Sequence, residues 1–496
     1  MTSQILLALT ILIPLGGAAL IPLFRNNPNV REGVSLATAA ILFLANLALI
    51  PTVTDGGRPV IEILPFLPGA ALVLSAEPLA LLFGLVASGL WFVTTIYAIG
   101  YMRGHGEENQ TRFYAFFAIA LAATMAVAYS GNLMTMFVAY EALSLSTYPL
   151  VTHAGTEAAK RGGRTYLGIL IGTSIGFFLL AILWTWTVAG TLDFTPGGIL
   201  GGKAETLTLL GLLALFVFGI AKAGVMPFHR WLPAAMVAPT PVSALLHAVA
   251  VVKAGVFAIV KIAVYIFGID TLAEMGTSQI FMYVAAFTIL AASIVALRQD
   301  NLKKRLAYST VSQLSYIVLG AMIASSLGIV GGGMQIAAHA FGKITLFFCA
   351  GAIIVAAHKT EVSQMAGLGK KMPLTFIFFF IGALSIIGLP PTGGMWSKWY
   401  LALATLEAEN YLLLGVLMTS SLLAIGYLMP VIVQGFFATS KDSDGGSGAE
   451  INGASTEIKE APWPMLLAMG ISSALCIILF FIPGPVIALM EMIFTG

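Results

Sequence analysis

The chain has 496 residues, of which 59% are hydrophobic and only 9% charged, with a net charge of +2. At a mean hydropathy of +0.96 this is not the profile of a water-soluble domain, and so small a charge makes no case for a nucleic-acid partner. There is no GxxxxGK[ST] phosphate loop, no GxGxxG between a strand and a helix, and no CxxC, so ATP binding, dinucleotide binding and thiolate metal sites are not indicated.

Each bilayer crossing needs about 20 apolar residues, and the hydropathy pattern predicts about fourteen. They fall near 4–24, 33–51, 78–102, 113–129, 132–153, 165–190, 206–227, 240–268, 279–297, 304–323, 329–357, 372–405, 410–438 and 462–489. In hydrocarbon the backbone must pair within its own segment, which makes these helices; the strict alternation of a β-barrel is missing. The expected class is therefore an all-α polytopic membrane protein. The first stretch lacks a basic flank and a cleavage site and is read as a retained helix. Segment 52–76 mixes Gly, Pro and β-branched residues as a small hairpin on the outer face would. Segment 439–461, rich in Gly, Ser and acids, reads as a flexible cytoplasmic loop. Cys349 and Cys476 both sit in helices and are expected to be buried, inert thiols.

Loop charges test the helix count. With fourteen helices, one side carries nearly all the loop Lys and Arg, from Arg25 and Arg31 through Lys303, Lys304 and Arg305 to Lys459, while the other carries only Arg58 and Lys203. The positive-inside rule places the basic side in the cytoplasm and both termini on the outer face of the cell's inner (plasma) membrane.

Six ionisable residues lie inside the spans: Lys222, Lys253, Lys261, Lys343, Lys398 and a single carboxylate, Glu141. A charge at bilayer centre costs about 2.5 kcal/mol or more on insertion scales, which marks such residues as functional candidates. Two spans also contain helix breakers, KAGVMPFHRWLPAAMVAPTPVS with Pro227 and GLPPTGGMWSK with Pro390 and Pro391, each beside an intramembrane lysine. Proline frees backbone polar groups at membrane depth, and broken helices placed correspondingly in two halves of a transporter point to its ion path. If helices four to eight form one unit and nine to thirteen another, each break falls on the fourth helix of its unit, and an odd number of helices inverts the second unit. This divides the chain into 1–102 (helices one to three), 103–268 and 269–438 (two inverted five-helix repeats with helices seven and twelve broken), 439–461 (loop) and 462–496 (helix fourteen).

Five segments then carry a family resemblance: FVAYEALSLSTYPLV at 137–151, IAKAGVMPFHRWLPAAMVAPTPVSALLHAVAVVKAGVFAIVK at 220–261, NLKKRLAYSTVSQLSY at 301–316, IAAHAFGKITLFFCAGA at 336–352 and GLPPTGGMWSKWYL at 388–401. Together they resemble the proton-translocating antiporter-like subunits shared by Mrp-type Na+/H+ antiporters, respiratory complex I and membrane-bound hydrogenases. The resemblance implies fourteen core helices, inverted repeats, and a hydrated central line of ionisable residues. It implies a pairing of Glu141 with Lys222, a central lysine at Lys253 beside His247, an HAxxK motif of His339 and Lys343, and Lys398 near the end of the path. Gln335 stands where some relatives have another histidine, which puts that link in question.

Other residues receive plainer readings: Lys261 snorkels to the interface, His229 is structural, Tyr140 and Tyr308 are packing, and His105, His153 and His358 do nothing specific. The expected function is a proton-translocating subunit of a multisubunit monovalent cation (Na+)/H+ antiporter, resembling the D component of the Mrp type, with other membrane subunits and the lipid bilayer as partners. Protons are its cargo, and sodium passes through another subunit. The alternatives are a pumping subunit of a complex I-like NADH-quinone oxidoreductase or a hydrogenase, a proton-driven partner of an uptake system, and a scaffold with a dead path. The EALSLSTY run fits the complex I type as well, whereas an end soon after helix fourteen favours the antiporter type. No cofactor, metal site or redox catalysis is expected of this chain.

Overall fold

The computed structural model describes residues 2–67, 70–276, 278–438 and 458–494. The main helices in chain order are α1 (Ser3–Leu20), α2 (Pro28–Thr54), α3 (Pro78–Gly104), α4 (Gln110–Ala128), α5 (Leu133–Val151), α6 (Glu157–Ala189), α7 (Thr206–Gly219), α8 (Thr240–Phe267), α9 (Gln279–Arg298), α10 (Leu302–Met322), α11 (Ser326–Ala357), α12 in two pieces (Pro373–Ile387 and Gly394–Glu407), α13 (Tyr411–Phe437) and α14 (Trp463–Phe481). Among the described residues, ten helices are long and apolar enough to cross a bilayer. The other four expected crossings differ for physical reasons. α5 and α10 are diluted by Ser, Thr, Tyr and charged residues, and α7 and the first piece of α12 are short because each is broken.

Each break contains a glycine in the left-handed region, Gly224 (φ 73°) at the end of the turn that follows α7 and Gly388 (φ 88°) within α12, a conformation that a side chain disfavours. The bonds Met226–Pro227 and Pro390–Pro391 are cis. After the first break the chain runs through turns and a one-turn helix, Trp231–Ala234, to reach α8. Trp231 closes back on the break, its indole N–H donating to the Ala221 carbonyl at 2.9 Å.

α8 is the buried axis of the fold, enclosed by its neighbours along its whole length, and packs on the Ala221–Ala223 turn, α10 and α11. Gly255 makes the first contact possible, because a Cβ there would overlap the backbone of Lys222 and Ala223. α11, 32 residues long and containing the Gly331–Gly333 run, passes through the same core and meets α10, both pieces of α12, and α14. Polar caps start the helices that matter to the site: Asn132 accepts from Thr135 N at 2.8 Å for α5, and Asn301 from Lys304 N at 3.1 Å for α10.

The expected hairpin is present as antiparallel β1 (Val60–Leu67) and β2 (Ala70–Ser75), with Val60 opposite Ser75. It is tied to the α4–α5 turn by Gly131 N donating to Val73 O and Ser75 N to Tyr129 O, both at 2.7 Å. Cys349 and Cys476 are free and buried. Most of the expected loop at 439–461, namely 439–457, lies outside the described residues.

Candidate functional site

Helical spacing on α5 fixes the first part of the site. Tyr140 and Ser144, four residues apart, share one face, and Glu141 is turned about 100° from Tyr140. Lys222, in the turn after α7, is wholly buried. Its Nζ donates to the Tyr140 carbonyl at 2.8 Å and to Ser144 Oγ at 2.6 Å, and lies 3.1 Å from the centroid of the Tyr140 ring. Its backbone N–H donates to the Tyr140 hydroxyl at 3.1 Å. Glu141 is not its partner here: both carboxylate oxygens are buried without a hydrogen bond. The expected pairing of these two residues is therefore open in this structure, because the face of α5 toward the break presents Tyr140 and Ser144. Tyr140, read as packing, instead holds the lysine through its carbonyl and its ring.

The centre of the site joins α8 to α11. Lys253 Nζ lies 2.8 Å from His339 Nδ1, a contact between residues 86 apart in sequence. Lys343, one turn along α11, donates to Ser309 Oγ on α10 at 2.7 Å, and Ser309 donates to the Tyr427 hydroxyl at 3.0 Å. All three of these cationic or imidazole groups are buried. His247 sits in a widened turn of α8, Leu245–Val249, with its ring 4.7 Å from that of Phe347 and neither nitrogen hydrogen-bonded.

Farther toward the α12 break the buried polar contacts run through amides and hydroxyls. Gln335 Nε2 donates to Gln313 Oε1 at 2.9 Å, and Ser397 Oγ donates to Gln335 Oε1 at 2.5 Å. Lys398, adjacent to Ser397, donates to the Ile387 carbonyl at 2.7 Å and to Ser421 Oγ at 2.8 Å. The Ile387 carbonyl is one that the α12 break leaves free for such a contact. Gln335 thus bridges α10 and α12 through its amide.

Lys261 departs from the expectation of snorkelling. It is wholly buried and forms an ion pair with Glu77 at 3.1 Å, with a further bond to the Ser130 carbonyl at 2.8 Å. Glu77 escapes a search for carboxylates inside spans because it caps α3, accepting from Leu79 N and Ala80 N at 3.1 Å each and from the Tyr265 hydroxyl at 2.7 Å. An acid directly before Pro78 at the head of an apolar run is the cap signal that could have found it. His229 lies at the α7 break with its ring 6.2 Å from that of Tyr308. Among the described residues, no three His, Cys, Asp or Glu come together as metal ligands.

A bundle of long apolar helices with lysines and histidines buried in its core defines a multi-pass membrane protein. The chain belongs to the family described as NADH:quinone oxidoreductase/Mrp antiporter, TM, which it matches over residues 130–424. It is 33% identical to NADH-quinone oxidoreductase subunit N of Desulforudis audaxviator, over 82% of this chain and 81% of that one. It is 28% identical to the D subunit of the Na(+)/H(+) antiporter of Alkalihalophilus pseudofirmus, over 88% of each. Its fold is shared with a chain of the Mrp complex from Dietzia sp. DQ12-45-1b, with a TM-score of 0.85 and 22% identity over 100% of this chain and 97% of that one.

Proposed function

We propose that the chain is a proton-translocating subunit of a multisubunit monovalent cation (Na+)/H+ antiporter, moving protons along the line of Glu141, Lys222, His247, Lys253, His339, Lys343 and Lys398. The observation that carries this reading is the direct contact of Lys253 with His339, two basic groups in bonding distance in the apolar centre of the bundle. A lysine and an imidazole so placed share a single proton more readily than they hold two, since like charges close together in low dielectric disfavour double protonation. Such a pair suits a transfer step. Upstream, the unpartnered Glu141 beside the held Lys222 forms a two-position switch: closing the pair strengthens the lysine's hold on its proton, and opening it releases that hold.

The proposed topology has fourteen crossings, with the two five-helix units at 103–268 and 269–438, helices one to three at 1–102, a loop at 439–461 and the last crossing at 462–496. The face rich in Lys and Arg is cytoplasmic, and both termini are on the outer face of the plasma membrane. Redox catalysis belongs to other subunits, if any, and sodium passes elsewhere, because one carboxylate among cations is a poor site for a hard cation. The 33% identity to an NADH-quinone oxidoreductase subunit supports a second reading, in which electron transfer elsewhere in a complex drives this chain as a proton pump.

One experiment tests the line and its driver. Proton transport is measured in vesicles containing the assembled complex, for wild type, Glu141→Ala and Lys222→Ala, energised by a sodium gradient or by an electron donor. We expect transport to be lost in both variants with assembly intact, and sodium to be the effective driver. An electron donor acting alone would select the second reading, and normal transport in both variants would overturn the proposed line.

A further inference from the structure

One cluster of titratable side chains on the basic face lies outside the buried line. Glu107, in the α3–α4 turn, is 3.2 Å from His105 Nδ1 and 3.9 Å from His153 Nε2. His153 Nε2 also lies 3.0 Å from the Glu108 carbonyl, and Arg112 donates to the His153 carbonyl at 2.9 Å. The His153 side chain is only 2% exposed, its ring is edge-on to Phe113, and its Nδ1 is buried without a partner. The nearby Arg103 is engaged by Glu32. Glu107 and His105 are therefore open to water on one side of the cluster, while His153 is closed inside it.

The cluster borders the first turn of α8. His105 stacks on Tyr101 with ring centroids 5.4 Å apart, and Tyr101 neighbours Thr240, the first residue of α8. Lys303 of α10 donates to the Ala238 carbonyl at 2.6 Å, just ahead of that turn, within electrostatic range of Glu107. Along α8, Ser243 and His247 follow Thr240 by three and seven residues and so share its face. Thr240 Oγ1 and both nitrogens of His247 are buried without partners. Between them Ser243 Oγ donates to the Pro239 and Ala238 carbonyls at 3.4 and 3.5 Å. Polar atoms are costly to leave unpaired in an apolar interior, and those of Thr240 and His247, at the two ends of this face, are where water or a passing proton is stabilised.

We propose that Glu107, His105 and His153 form the proton-collecting mouth of this chain, passing protons along the Thr240–Ser243 face of α8 to His247. The proposal rests on the transport reading above and names where on the basic face the protons are taken up. Each cycle moves one proton from water or a buffer acid onto the carboxylate–imidazole cluster and then inward. The cluster returns to its starting protonation, so no further reactant is required. A carboxylate within reach of two imidazoles suits collection, because three proton-carrying groups meet where one side of the cluster is open to water, and the flanking Arg112 and Lys303 limit how long a proton is held.

The test uses membranes containing the chain with its native partner subunits. Initial rates of proton transport are compared for wild type, Glu107→Gln, Glu107→Gln with His153→Gln, and Lys253→Met, at mildly acid and mildly alkaline pH, in dilute and concentrated buffer, with and without added imidazole. We expect a several-fold loss in the two cluster variants at alkaline pH and dilute buffer, where protons are scarce, and recovery with imidazole as a mobile proton carrier. A purely structural role would give a loss that is equal at both pH values and indifferent to imidazole, and that outcome overturns the proposal. Rates equal to wild type, with Lys253→Met inactive, overturn it as well while leaving the transport reading standing. Full activity in Lys253→Met would instead sink the transport reading itself. Should the double variant fail to assemble, Glu107→Gln decides alone, since the amide keeps the size and shape of the side chain it replaces.

Discussion

Gln335 lies two turns from Lys343 on α11, and its amide is used at both ends, toward Gln313 and from Ser397, the residue before Lys398. Replacing it with Leu keeps the size but leaves the buried Gln313 Oε1 without its donor, at about 1–3 kcal/mol, whereas Ser397 can still donate to the Gly394 carbonyl at 2.9 Å. We expect Gln335→Leu to lower proton transport per assembled complex by at least an order of magnitude, and Gln335→His to retain most of it, as measured by initial rates in vesicles. Equal rates in Gln335→Leu and wild type would show that protons bypass this bridge. At this scale the lysines were legible because a charge in an apolar run is conspicuous one residue at a time. His247 and His339 needed the resemblance, since a lone histidine in a helix carries no such mark. The acceptors of Lys222 were not legible: the Tyr140 carbonyl and Ser144 Oγ are 82 and 78 residues away, and no local pattern announces a contact across two helices.

The two breaks show how an element can be readable while its packing is not. Pro227, Pro390 and Pro391 marked both interruptions, and Gly224 and Gly388 supply left-handed backbone within them. What the sequence does not display is that α8 crosses the first break at Gly255, where there is room for hydrogen only. Gly255→Val should force α8 away from Lys222 and Ala223 at about 1–3 kcal/mol, the usual cost of overpacking. Lower abundance of the assembled complex and an earlier thermal transition are the expected result; unchanged abundance would mean that the contact is slack. α5 and α10 illustrate the opposite limit. Their polar residues blur the hydropathy signal for the same reason that they matter, because Ser144, Ser309 and Gln313 face the buried lysines and amides rather than lipid.

Across the whole molecule, the Glu77–Lys261 pair ties together parts that are distant in sequence: the head of α3, the far end of α8, and the α4–α5 turn through the Ser130 carbonyl. The hairpin docks on that same turn, so the pair and the hairpin meet at one end of the bundle. Glu77 receives four donors, two backbone N–H groups, the Tyr265 hydroxyl and Lys261, an arrangement that holds the carboxylate in place. Such a pair fixes geometry more than it adds net stability, because the desolvation of two buried charges offsets much of their attraction. Removing one partner is a different matter, for it leaves the other charge buried alone at about 3–5 kcal/mol. Lys261→Met should therefore destabilise the purified complex strongly, and Glu77→Gln combined with Lys261→Met should recover most of the loss, because a neutral amide can still accept from the α3 backbone. Thermal unfolding of the three proteins in detergent reads both effects. If the double variant transports protons as wild type does, Lys261 is a clamp, distinct from Lys253 two turns away on the same helix; if stability returns and transport does not, the clamp is also part of the path.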